Sequence, residues 1–124
     1  MPEQLLTETS NSLDNLIAGD QVGLISQKIT LLSGQNLVRG TVLGKVTASG
    51  KYVKSLSAAV DGSQVPDLIL VENKDASAGD KETLAYEAGI FNERALTLGT
   101  AHTIASIREG LRVKGIHLKD SVAK

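Results

Sequence analysis

The sequence contains no cysteine and no tryptophan. Without thiols there is neither a disulfide framework nor a thiolate metal site, so stability has to come from packing or from partners. That absence is also what a protein made in a reducing cytoplasm would show. The aromatic residues are Tyr52, Tyr86 and Phe91, which leaves Leu, Val, Ile and Ala to build the core. Small aliphatic side chains bury less area than aromatic ones, so self-association is an expected supplement to a modest monomer core. Neither sign of charge dominates: 13 basic and 14 acidic residues give a net charge of −1. With the two signs interspersed, nucleic acid and anionic membrane surfaces are not expected partners. No apolar run is long enough to span a bilayer. Met1 to Ser12 lacks the basic and apolar regions of a secretory signal, so a soluble protein that is not exported by the usual route is expected.

At 124 residues the chain fits one domain with an appended segment. Residues 1–21 are rich in Thr, Ser, Asn, Asp and Glu, with only Leu5, Leu6, Leu13, Leu16 and Ile17 to bury, and read as a flexible N-terminal arm. Leu13, Leu16 and Ile17 have helical spacing and predict a short helical turn once a partner surface covers them. Residues 22–124 read as the folded body. Val22 to Leu32 mixes β-branched residues with partial alternation, as a half-buried strand does. From Leu37 to Lys54 the pattern predicts a meander of short strands, with a hairpin turn at Ser49-Gly50 and bulges or bends at Gly40 and Gly44. Asp61-Gly62 marks a further turn, after which Pro66 opens the apolar run Leu68 to Val71, a predicted central strand. Asn73 to Gly79 reads as a loop. Leu84, Tyr86, Ala88 and Ile90 alternate through a following strand, which implies a second hairpin. Ile104, Ile107 and Leu111 then share one face of an amphipathic helix, with Thr100 or Thr103 as its cap and Gly115 at its C-terminus. Ile116 and Leu118 predict a last short strand. The fold class is therefore mostly β with one C-terminal amphipathic helix (α+β), a small barrel-like body carrying a flexible arm.

Motifs with chemistry fare poorly. Gly40-Thr-Val-Leu-Gly44-Lys45 has three residues between its glycines and Val46 after its lysine, so it misses the phosphate-loop pattern, and it reads as β where that loop needs a helix behind it. His102 and His117 have no second histidine one helical turn away, so no metal site is expected. His102 precedes the helix as an ordinary polar residue, and His117 alternates outward between Ile116 and Leu118. No nucleophile elbow surrounds any serine. Glu72 with Asp75, and Asp80 with Glu82, lack calcium-loop spacing and read as solvated loop charge. Arg108 and Arg112, one turn apart, form a basic strip facing solvent or an intersubunit ion pair. No catalytic residue and no cofactor is expected.

Three segments in order carry a resemblance: Ala59-Val60-Asp61-Gly62, then Pro66-Asp67-Leu68-Ile69-Leu70-Val71, then Tyr86-Glu87-Ala88-Gly89-Ile90-Phe91-Asn92. With Ala95-Leu96-Thr97-Leu98-Gly99 and Leu111-Arg112-Val113-Lys114-Gly115-Ile116, the chain resembles the lambda-like phage head decoration protein family over roughly residues 37 to 118. That resemblance implies a non-enzymatic capsid decoration (cement) protein. It would form a homotrimer at local threefold sites of the expanded head, on the outer virion surface after a period in the host cytoplasm, and would stabilise the shell against internal DNA pressure. The implied partner is the major capsid protein, bound through an arm that is unstructured in isolation and extends a capsid sheet, with Leu5, Leu6 and Thr7 as the augmenting stretch and Leu13, Leu16 and Ile17 as further arm contacts. Two other classes are weighed against it. One is a small β-barrel ligand- or metal-binding module, with the Gly40 to Gly50 loops as its rim. The other is an enzyme subdomain with a pocket of convergent titratable groups.

Overall fold

The computed structural model describes residues 16–17 and 24–120 of the chain. Its strands are β1 (Ile25–Leu31), β2 (Asn36–Leu37), β3 (Val42–Lys45), β4 (Tyr52–Lys54), β5 (Pro66–Leu70), β6 (Lys74–Asp75), β7 (Lys81–Asn92) and β8 (Ile116–Lys119). One helix, α1 (Ile104–Val113), precedes β8, and a 3-10 turn spans Glu93–Ala95. The main sheet runs β1-β4-β3-β5-β7-β8, and a β1–β7 pairing closes its first five strands into a small barrel. Closure removes the exposed edges that five short strands would otherwise present.

Two apolar clusters sit on opposite sides of the barrel wall. Ile29, Leu31, Leu43, Tyr52, Leu68, Leu70 and Ala85 come from all five barrel strands and, with Leu37 and Ala76, fill the interior. Val42, Ile69, Tyr86 and Phe91 face the other way and are covered by Ile107 and Leu111 of α1, Ile116 and Leu118 of β8, and Leu16. This two-sided burial explains why β5 shows an unbroken apolar run: Leu68, Ile69 and Leu70 are all buried, alternately against the inner and outer clusters.

The turns follow local chemistry. Lys45 pairs with Tyr52 across the predicted β3–β4 hairpin, and Gly50 takes φ +76° where a side chain would be strained. The β3–β5 register shifts between Leu43 and Gly44, so the predicted bulge is present there. α1 begins in a capping box: the Thr103 hydroxyl accepts from the Ser106 amide at 3.1 Å, and the Ser106 hydroxyl accepts from the Thr103 amide at 2.9 Å.

Three expectations need adjustment. The predicted loop at Asn73 to Gly79 contains β6, which pairs antiparallel with β2 in a small separate sheet, so Leu37 belongs outside the β3–β4 meander. β7 does not keep one alternating face. Ser26 lies opposite Tyr86 while Ile25 lies opposite Ala88, so Glu87 is an extra residue. The resulting bulge reverses side-chain parity and lets Tyr86 and Phe91, an odd number of residues apart, both enter the outer cluster, with ring centroids 5.3 Å apart. Leu84, before the bulge, is 43 % exposed because its side of β7 lies beyond the cover of α1.

Candidate functional site

Of the residues proposed for the arm, Leu5, Leu6, Thr7 and Leu13 lie outside the described residues. Leu16 and Ile17 lie within them, and the surface that covers them is the chain's own body. Leu16 is 2 % exposed within the outer cluster. Its carbonyl accepts from the Asn92 amide at 2.7 Å, and Ile17 forms an antiparallel bridge with Phe91. Phe91 also pairs in parallel with Leu118 of β8, so the N-terminal segment and β8 flank opposite edges of the same stretch of β7. Asn92 is buried, and its side-chain carbonyl accepts from the Arg94 amide. From sequence Asn92 enters only as the end of the Tyr86 to Asn92 segment, with no capping role assigned. Its signal was an Asn closing an apolar strand, where its side chain caps the turn that follows.

Beside this root lies the predicted basic strip. Arg108 donates to the Leu118 carbonyl at 2.9 Å and to Glu93 at 2.6 Å, while Arg112 reaches Glu109 through two nitrogens. Glu109 is held below the usual carboxylate range by the Arg112 hydrogen bond, then by its charge. Arg94 forks onto Asp120 at 2.8 and 3.1 Å. A groove of about 370 Å³ runs here, lined by Ile90, Leu118, Arg108, Arg112, His117 and Lys119. His117 is exposed, as its alternation predicts.

The other candidate groups are structural. His102 Nε2 lies 3.1 Å from the Ser55 hydroxyl, the only serine–histidine pair among the hydrogen bonds of the described residues. Ser55 is fully buried, and its single hydroxyl hydrogen goes to the Ser63 carbonyl at 2.7 Å. The oxygen can then only accept from His102, the reverse of what an activated nucleophile needs. Asp80 receives the Lys51 ammonium and the Ser33 amide, which hold its carboxyl low, in that order. Glu72 accepts from Thr83 at 2.8 Å, and Glu82 lies 3.7 Å from Lys28. Asp75 binds Ser77 in its own turn. Among the described residues no cluster of three or more His, Cys, Asp or Glu is placed to hold a metal, and no helix is long and apolar enough to cross a membrane.

The glycines that invited comparison with a phosphate loop or a ligand rim instead admit neighbouring backbone. A Cβ on Gly44 would lie 2.0 Å from the Ser63 carbonyl oxygen, and one on Gly40 would lie 2.8 Å from that of Ala95. The barrel interior, where a ligand would sit, is filled by Leu31, Leu43, Leu68 and Leu70.

In comparison with known families, the model of the bacteriophage lambda head decoration protein D matches residues 5–116 of the chain. No curated protein matches the chain.

Proposed function

The chain belongs to the bacteriophage lambda head decoration protein family, and from that premise we propose that it binds the major capsid protein of the expanded head as a homotrimer at local threefold positions. There it reinforces the shell against the pressure of packaged DNA. The observation that carries this reading is the extent of the family match, which runs from Leu5 to Ile116 and so spans both the N-terminal segment and the body. Family membership makes the protein a structural component of the phage capsid. The geometry is in keeping with that role, since the titratable groups described above serve caps, turns and ion pairs.

In this reading the capsid contact is made by the segment that precedes Leu16, with Leu5, Leu6 and Thr7 adding a strand to a capsid sheet and Leu13 packing beside them. Leu16 and Ile17, assigned to the same contact from sequence, form its root, where the segment leaves the body. Ordering such a segment costs conformational entropy, so each arm binds modestly. Three arms on one trimer offset this by acting as a single multivalent unit. Before assembly the protein resides in the host cytoplasm, and afterwards on the outer capsid surface.

The test is sedimentation of the purified protein with matured heads of its phage, alongside a variant lacking residues 1–15. The truncation stops at 15 because Leu16 belongs to the core of the body. Cosedimentation of the full chain and its loss on truncation are expected. Undiminished binding by the truncated chain would refute the arm as anchor, and failure of the full chain to bind would refute the decoration role itself.

A further inference from the structure

The sequence holds one Asp-Gly step, Asp61-Gly62, and no Asn-Gly step. Such a step is chemically fragile, because glycine has no side chain to hinder its own backbone nitrogen from reaching back to the preceding carboxyl. Ring closure forms a bond from the Gly62 nitrogen to Asp61 Cγ, breaks the N–H bond and the C–OH bond of the protonated carboxyl, and releases water. Water then opens the resulting succinimide at either carbonyl. One product is the original aspartate. The other is isoaspartate, in which the backbone runs through Cγ and is one methylene longer. These steps need no enzyme, oxidant or cofactor.

Both residues are demanded by the fold. Gly62 takes φ +102°, and a Cβ there would lie 2.0 Å from Thr47 Oγ1. The Asp61 carbonyl accepts from the Thr47 amide at 2.9 Å, and its carboxylate accepts from both the amide and the hydroxyl of Ser63. Asp61 is nonetheless exposed, so water reaches it. The same contacts oppose ring closure. The two Ser63 donors, hydroxyl first and then amide, hold the carboxyl below its ordinary 3.8, so at neutral pH it is a carboxylate, whose oxide is a poor leaving group. The Gly62 amide donates to Gln64 Oε1 at 2.9 Å, a bond that the succinimide, with no N–H there, cannot make. The lengthened product fits no better. Ser63 is 2 % exposed, its carbonyl accepts from the buried Ser55 hydroxyl at 2.7 Å, and that carbonyl occupies the space left by the absent Cβ of Gly44. An extra methylene just before Ser63 shifts it from this seat.

We propose that Asp61-Gly62 is a latent modification site, an aspartate-to-isoaspartate conversion that Ser63 and Gln64 hold off in the folded protein and that proceeds when the turn over residues 61–64 opens. Opening one surface turn requires less free energy than unfolding the barrel, so the conversion reports local opening rather than global stability. It also makes that opening permanent, because Ser63 no longer returns to Ser55 and Gly44. None of this depends on the capsid role, and the free protein suffices to test it.

Passage through the ring exchanges one carboxyl oxygen for one from solvent, so incubation in heavy-oxygen water at neutral pH, followed by peptide mapping, locates and counts the events. In the folded parent the label at Asp61 is expected to accumulate slowly, and in urea above the unfolding midpoint at least about tenfold faster. Gln64→Ala and Ser63→Ala, each checked as folded by circular dichroism, are expected to raise the native rate about threefold or more. Leu16→Ala, which destabilises the body from the outer cluster, should leave that rate near the parent value. No preferential label at Asp61 in urea would overturn the site. Equal rates in the folded and unfolded parent would overturn the protection, and an unchanged rate in either turn variant would overturn that residue's role. Rates that follow the urea midpoint of each variant, Leu16→Ala included, would show that only global unfolding exposes the step and would overturn gating by the turn.

Discussion

In the variant Leu16→Ala the body loses a side chain that is 2 % exposed and packed in the cluster holding Val42, Ile69, Tyr86 and Phe91. Removing the buried methyl groups forfeits about 2 kcal/mol of transfer free energy, and the cavity left under α1 adds about 1–2 kcal/mol. The expected loss is therefore roughly 3 kcal/mol, a large part of the roughly 5–15 kcal/mol that stabilises a domain of this size. It corresponds to a fall of roughly 10 °C in Tm. Leu5→Ala and Leu6→Ala should leave the urea midpoint of the free protein within the effect of an ordinary surface change, about 0.5 kcal/mol, while weakening attachment to heads. With no tryptophan in the chain, far-UV circular dichroism is the suitable probe, at one protomer concentration so that self-association contributes equally to every variant. An equilibrium loss under about 0.5 kcal/mol for Leu16→Ala would refute its place in the core. An equal loss for Leu5→Ala would refute the division of the segment into root and arm.

Gly44→Ala puts a methyl group 2.0 Å from the Ser63 carbonyl oxygen, a contact that only backbone movement can relieve. The expected cost in urea melts is about 2–3 kcal/mol, by analogy with overpacked cores, and a neutral result would show that the Gly62–Ser63 turn yields freely. Thr103→Ala removes the hydroxyl that accepts the Ser106 amide and should cost about 1 kcal/mol, measured in the same melts, with Thr103→Ser restoring most of it. Hydrogen bonds from Lys51 and Ser33 hold Asp80 below its ordinary 3.8, so its contribution is present above that value and is lost as pH falls through the lower folded value. Stability profiles below pH 4 should therefore be shallower for Asp80→Asn than for the parent. Burial first, then the charge and hydrogen bond of Asp67, push Tyr52 up from 10.0 to about 12. The stability tied to its neutral form is present below pH 10 and lost as pH rises toward 12, so Tyr52→Phe should flatten the alkaline limb of a melting curve followed by circular dichroism.

What could be read from the sequence was local. Ser49-Gly50, Asp61-Gly62, Thr103 and Gly115 each act within a few residues of themselves, and the structure uses each as expected: three of the glycines and turns take positive φ, and Thr103 caps α1. The amphipathic period of α1 was equally plain because its buried residues are Ile107 and Leu111. The long-range features had no such signal. Nothing near Gly99 announces that the Ser55 carbonyl oxygen would lie 1.8 Å from a Cβ placed there. The Glu87 bulge is set by pairing with β1, some 60 residues earlier in the chain, and so the alternation at Leu84 pointed to a face that α1 does not cover. The two-residue strands β2 and β6 are too short for periodicity to register. Leu16 looked like part of the arm because its neighbours in sequence are polar, and only the outer cluster under α1 gives it a place.

That place bears on how an arm of this kind can work. A segment joined to a domain by a flexible linker explores a volume set by the whole linker, and its effective concentration at a target falls as that length grows. Here the chain is fixed at Leu16 by a buried side chain and a 2.7 Å hydrogen bond, next to a strand end held by β8 and by the Arg108 bridge to Glu93. In the proposed arm reading the tether is therefore counted as 15 residues rather than 21, and it starts from Leu16, a defined point on the body. Shortening a tether in this way changes closure entropy by only a few tenths of a kcal/mol per arm. Fixing its origin has the larger consequence for the proposed function, since three arms rooted at equivalent points of the proposed trimer would meet three equivalent capsid sites in register.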